Sequence, residues 1–179
     1  MALILLRHTT PDVAPGTCYG QTDLDVAASF ETEAASALAA LPSFNQIVSS
    51  PLKRCRKLAE FVSEATGVPV TSDPRFMEMN FGSWEGRLWS EIERSEIEAW
   101  ASDFYHARPH GGESVAILHA RISAALEDLN NQDTSTLIVS HAGVIRAALA
   151  RGETAEDFDT EIAFGGFVTM SNTEGVLHE

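Results

Sequence analysis

The sequence predicts an α/β sandwich with three layers in αβα order around a mostly parallel central sheet. Three observations lead there. Short apolar runs rich in β-branched residues recur at strand length, and stretches with a helical apolar period lie between them. Polar and apolar segments also alternate along the whole chain, with no internal repeat, low-complexity tract or Ser/Gly linker. Strands separated by helices are joined by crossovers, which set neighbouring strands parallel and cover both sheet faces. A chain of 179 residues predicts a single domain over 1–179, at roughly 100–200 residues per domain.

The elements follow in order. Residues 2–6 form an apolar run that stops at Arg7; it suits a strand and is shorter than the about 7–15 residues of a signal-peptide core, let alone a membrane span. Phe30, Ala34, Ala37, Leu38 and Leu41 fall on one side of a helix, and Gln46–Ser49 is a second strand. Leu52, Cys55, Ala59 and Val62 mark the next helix, with Ser50 and Pro51 as N-cap and first-turn proline. A short strand is predicted over 68–71. Residues 72–87 hold Pro74, Gly82 and Gly86 without clear periodicity, and so long an irregular loop in a compact domain is functional or disordered. Val115, Leu118, Ile122, Leu126 and Leu129 recur at intervals of 3, 4, 4 and 3, which only a helix places on one side. Thr136–Ser140 and Phe167–Ser171 complete the set of buried strands.

Composition narrows the partners. At 44% hydrophobic and 21% charged residues, the chain can bury a core and is too weakly charged for disorder. Twelve Lys plus Arg against 26 Asp plus Glu give a net charge of −14, which repels polyanions and argues against nucleic acid and anionic membranes. An anionic small molecule would need a local cluster of cations. Cys18 and Cys55 are too few for a disulfide framework and lack CxxC spacing, so reduced thiols and a cytoplasmic location are expected.

Open α/β sheets bind ligands beyond the carboxyl ends of their strands. Arg7 and His8 follow the first strand; Ser50, Pro51 and, one turn on, Arg54 follow the second; His141, Ala142 and Gly143 follow 136–140. Taken singly, each has a bland account. A histidine after a strand is commonly a turn or core residue, and Arg54 belongs to a basic run, Lys53, Arg54, Arg56 and Lys57, of the sort that decorates a solvated helix face. Together, cations at three strand ends of an acidic protein would repel one another unless an anion joined them, and phosphate fits. A zinc site on His106 and His110, four apart, is disfavoured by Pro109 between them and by the lack of a third ligand.

In this setting Leu6-Arg7-His8-Thr9 resembles the Arg-His-Gly signature of the histidine phosphatase superfamily, which includes the phosphoglycerate mutases. The segment 49–54 (Ser-Ser-Pro-Leu-Lys-Arg) resembles its second motif, and Glu78 with Gly82, Trp84, Glu85 and Gly86 resembles its acid-bearing loop. Gly112-Glu113-Ser114 is similar to its late helix start and Ser140-His141-Ala142-Gly143 to its last motif. The set covers about residues 3 to 150 in the family's order.

The resemblance implies a phosphoglycerate mutase-like fold and phosphomonoester hydrolysis through a phosphohistidine, without cofactor or metal. His8 would be the nucleophile, its other ring nitrogen held by an acceptor that the sequence does not identify. Arg7 and Arg54 would grip the phosphoryl oxygens by charge-assisted forks and His141 would add a donor. Gly143 would allow close backbone approach beside exposed helix amides. Glu78 would protonate the leaving group and then activate water, with Phe76, Met77, Met79 and Phe81 excluding solvent and Trp84 plugging the loop from below. Candidate substrate-binding residues are Arg7, Arg54, His141 and Ala142, with Tyr19, Gly20 and Gln21 in a loop that, with 100–112, would read the leaving group.

Two positions depart from the family pattern: Thr9 replaces the glycine after the nucleophile, and Ala14 occupies the place of a phosphate-contacting asparagine. With Pro11 and the continuation over 16–23, these departures resemble the α-ribazole phosphatase branch, which implies α-ribazole 5′-phosphate, a cobalamin precursor, as the small phosphorylated metabolite. A sugar or glycerate phosphatase, a mutase, and a non-catalytic phosphate-binding module are the alternatives.

Overall fold

A computed structural model describes residues 2–171. Five strands, β1 (Ala2–Arg7), β2 (Gln46–Ser49), β3 (Val70–Ser72), β4 (Thr136–Ser140) and β5 (Phe167–Ser171), form one sheet in the order β3-β2-β4-β1-β5. All neighbouring pairs are parallel except β1 with β5. The helices are α1 (Phe30–Ala40), α2 (Lys53–Thr66), α3 (Arg94–Ser102), α4 (Val115–Asn130) and α5 (Ala142–Leu149).

The period-2 alternation of the strands divides the core between two faces. Ile4, Leu6, Ile47, Leu137 and Val139 pack with Ala34 and Ala37 of α1 and Cys55, Leu58, Ala59 and Val62 of α2. Leu3, Leu5, Val48 and Ile138 pack on the opposite face with Leu118, Ile122 and Leu126 of α4 and Val144 and Ile145 of α5. This is the three-layer αβα arrangement that the sequence predicts. A smaller cluster of Cys18, Trp84 and Ile92 lies under the loops, with Phe81, Ile97 and Trp100 against it. Among the described residues, no helix is long and apolar enough to cross a membrane.

Several elements differ from the sequence expectation. β3 begins at Val70 rather than 68 because Gly67 turns out of α2 in the left-handed region, at φ 74°, and Pro69 has no N–H for a ladder. Ser50 is not the N-cap of α2: that position is Leu52, and the Asp23 carboxylate accepts from the first helical amide, Lys53 N, at 2.6 Å. α3 carries no buried residue, so it left no apolar stripe to read. β5 is only half-buried, as an edge strand. The 72–87 loop is ordered by two 3₁₀ turns, Pro74–Phe76 and Gly82–Trp84.

β1, β2 and β4 run parallel side by side and end within one residue of one another, Arg7 opposite Ser140 and Ser49 opposite Val139. Whatever follows these strands must therefore meet at one sheet edge.

Candidate active site

His8 leaves β1 with its amide donating to Ser140 O at 2.9 Å. Its ring is 5.2 Å from that of His141, which opens α5 as its N-cap. Arg54 comes up from the first turn of α2. His8, Arg54 and His141 have relative exposures of 1%, 0% and 0%, so Arg54 alone of its basic run points inward. Arg56 pairs with Glu60 and Lys57 with Asp25 at the surface.

The hydrogen bonds assign the tautomers. His8 Nδ1 lies 2.7 Å from Thr9 O. A carbonyl only accepts, so the proton is on Nδ1, and Arg54 Nε donates to the free Nε2 lone pair at 3.3 Å. The acceptor that the sequence left unidentified is thus the next residue's own carbonyl. Burial first, then the Arg54 and Arg7 charges, push the His8 pKa down to about 3, so the imidazole is neutral at pH 7.

Arg54 also donates to Thr22 O at 2.8 Å and Gly20 O at 2.7 Å, which fixes its guanidinium plane. Another of its N–H groups faces His141 Nδ1 at 3.2 Å. Arginine cannot accept, so His141 Nδ1 does, and Nε2–H faces Ser50 Oγ at 2.9 Å. His141 was expected to donate toward phosphate, yet here its Nδ1 is an acceptor. Burial and the neighbouring cations hold its pKa well below the ordinary value. An anion between these groups would favour the imidazolium and restore the donor.

Arg7 donates to Ile162 O at 2.5 Å, lies 3.8 Å over the Phe164 ring and hydrogen-bonds with Tyr19. Tyr19 and Phe164 flank the His8 ring at 6.4 and 5.6 Å. Residues 162–166 therefore build one wall of the site, and Gly165 N donates to His8 O at 3.2 Å. Sequence reasoning missed this segment; the Phe164-Gly165-Gly166 run before β5 was its one available signal.

Glu78 stands at the N-terminus of α5. Its carboxylate accepts from Met79 N at 2.8 Å and from Gly143 N at 3.1 Å. Gly143 has the role of admitting Glu78: a Cβ there would collide with the carboxylate. Arg121 braces the acid loop by donating to Glu78 O at 3.1 Å, to Arg75 O and to Glu113. Phe76 and Met79 are buried beside it and Trp84 is a fully buried plug.

Gln21 departs from its expected role. Its side-chain amide donates to Glu78 O at 2.9 Å rather than standing on the cavity wall. Gly20 fits because the Glu85 carboxylate lies where its Cβ would be. Glu85 accepts from Gln21 N, Thr22 N, Thr22 Oγ1 and Phe81 N, stapling the 19–22 loop to the acid loop. Ala14 sits in an exposed turn, its carbonyl accepting from Thr17. His110 is buried against Trp84 and Phe81, with Nδ1 accepting from Gly112 N, while His106 is exposed.

A cavity of about 400 Å³ opens over this edge. Arg7, Tyr19, Gly20, Glu78, Ala142 and Gly143 border it on the side of the buried triad, and Phe81, Trp89, Trp100, Phe104 and Phe158 supply an aromatic wall. His8, Arg54 and His141 do not border the cavity themselves; Tyr19, which does, lies against the His8 ring at 6.4 Å and has the Arg54 guanidinium carbon 5.1 Å from its own ring centroid. The arrangement offers a neutral, oriented imidazole and two guanidinium groups held in place that could face an oxyanion. A carboxyl group and room for a leaving group complete it.

The family model of the histidine phosphatase superfamily (branch 1) matches residues 3–162. The chain is 31% identical to glucosyl-3-phosphoglycerate phosphatase of Mycobacterium tuberculosis over 164 residues, covering 83% of this chain and 73% of that protein. It is 33% identical to the adenosylcobalamin/alpha-ribazole phosphatase of Salmonella typhimurium over 113 residues, 60% of this chain and 56% of that one. A solved phosphoglycerate mutase structure from Thermus thermophilus superposes with a TM-score of 0.78 at 30% identity, covering 100% of this chain and 97% of the other.

Proposed function

The chain belongs to the histidine phosphatase superfamily (branch 1), and from that premise we propose that it hydrolyses a small phosphate monoester through phospho-His8, without a metal ion. The observation that carries the reading is the neutral His8, its Nε2 turned to Arg54 and its ring against Tyr19, which with Arg7 and Glu78 borders the cavity. His8 Nε2 attacks phosphorus as the bond to the ester oxygen breaks, and the Glu78 carboxyl gives its proton to the leaving alkoxide. Glu78 then takes a proton from water as that oxygen attacks phosphorus. The N–P bond breaks, releasing phosphate and neutral His8. Arg7 and Arg54 supply the charge opposite the equatorial oxygens that a metal would otherwise provide.

The favoured substrate is α-ribazole 5′-phosphate. The aromatic wall of the cavity supports a flat leaving group over a sugar or glycerate, and the likeness to the alpha-ribazole phosphatase points the same way. The free, buried Cys18 and Cys55 support a cytoplasmic setting. The test is phosphate release from α-ribazole 5′-phosphate and from 3-phosphoglycerate in the presence of a chelator. Release from the first should be faster, survive the chelator and fall at least about 10²-fold in Glu78→Ala, the usual worth of general acid–base catalysis. Equal rates would remove the substrate preference, and ester binding without release would make the chain a phosphate-binding module.

A further inference from the structure

Among the described residues, half of the ten arginines find carboxylates: Arg56, Arg75, Arg87, Arg94 and Arg121 each form an ion pair. Arg146 does not. It sits on α5 three residues after Gly143 and four after Ala142, on the same helix face, and all three border the cavity. Its Nε donates to Thr160 O at 2.9 Å, which leaves the two terminal amino groups without a partner among the described residues. Asp159 shares the wall but lies beyond ion-pair distance. A guanidinium pinned through Nε is a preorganised fork for two acceptor oxygens.

We infer that Arg146 binds the leaving group, through paired oxygens on the alcohol that departs: the vicinal hydroxyls of a pentose or the carboxylate of a glycerate. The inference rests on the phosphatase reading above. The phosphoryl group would lie at Arg7 and His8. The alcohol would extend along the α5 face to Arg146, with any flat portion against Trp89, Trp100 and Phe104. Arg146 would then act on recognition of the ester and not on the phosphoryl group.

The experiment compares wild type with Arg146→Gln on α-ribazole 5′-phosphate, 3-phosphoglycerate and phenyl phosphate, whose leaving group has no second oxygen. The readout is the ratio of kcat/KM for each oxygen-bearing ester to that for phenyl phosphate. A charge-assisted hydrogen bond corresponds to about a tenfold or greater fall in that ratio, on the pentose ester if hydroxyls are read and on the glycerate if a carboxylate is. Arg146→Lys, which keeps the charge without the fork, should recover part of it. A merely structural role through Thr160 would lower all three rates together and leave both ratios fixed, which would overturn the inference while the phosphatase reading stands. Absence of turnover by the wild-type chain on all three esters would overturn that reading and the inference with it.

Discussion

Gly143 illustrates how much a single methyl group can control. Its N–H holds the Glu78 carboxylate and its bare Cα admits it, so Gly143→Ala should displace the acid and lower kcat by about 10²-fold or more. The added methyl meets only the far end of the Glu78 side chain, so stability should change little, and unfolding in urea beside single-turnover kinetics would show the loss confined to kcat. A variant with unchanged kcat would remove Glu78 from its proposed role. At this scale the motifs single out His8, Arg54, His141 and Glu78, but not what orients them. The Thr9 carbonyl, the Gly20 and Thr22 carbonyls and the Gly143 amide are backbone groups, and no residue type announces them.

The loops that shape the candidate site, unlike α2 and α5, have no apolar period. Glu85 satisfies three backbone amides and the Thr22 hydroxyl, so Glu85→Ala should free the 19–22 loop that carries Tyr19 over His8. A cost of about 1–3 kcal/mol follows from the orphaned donors, together with a higher KM, measurable by thermal unfolding and steady-state kinetics. By contrast Ile122, fully buried in α4, touches no proposed reacting group. Ile122→Ala should cost about 2–5 kcal/mol while KM is preserved. The α4 stripe was legible because a buried helix face repeats. Loop 159–166 and α3 were not, since a wall made of carbonyls and scattered aromatic rings has no period.

Across the whole molecule, the three layers followed from the short apolar runs of β1, β2 and β4 and from the helical stripes between them, and the parallel register brought the strand ends together. Function adds a stability consequence. His8 is depressed to about 3 and His141 also lies well below 6.5. Between about pH 3 and 6.5 the unfolded chain therefore holds more protons than the folded one, and stability falls on acidification through that window. Urea midpoints at pH 7, 6 and 5 should decline, and His8→Asn should flatten the slope. The free chain's −14 charge must be overcome locally, as Arg7 and Arg54 can do at short range.

In the proposed reaction His8 Nε2 takes the phosphoryl group. Brief exposure to a labelled phosphate ester followed by denaturation should leave one protein-bound phosphate, labile to acid and stable to base, at His8, and His8→Ala should carry none. Label of the same stability persisting in His8→Ala would mean that another side chain takes the phosphoryl group.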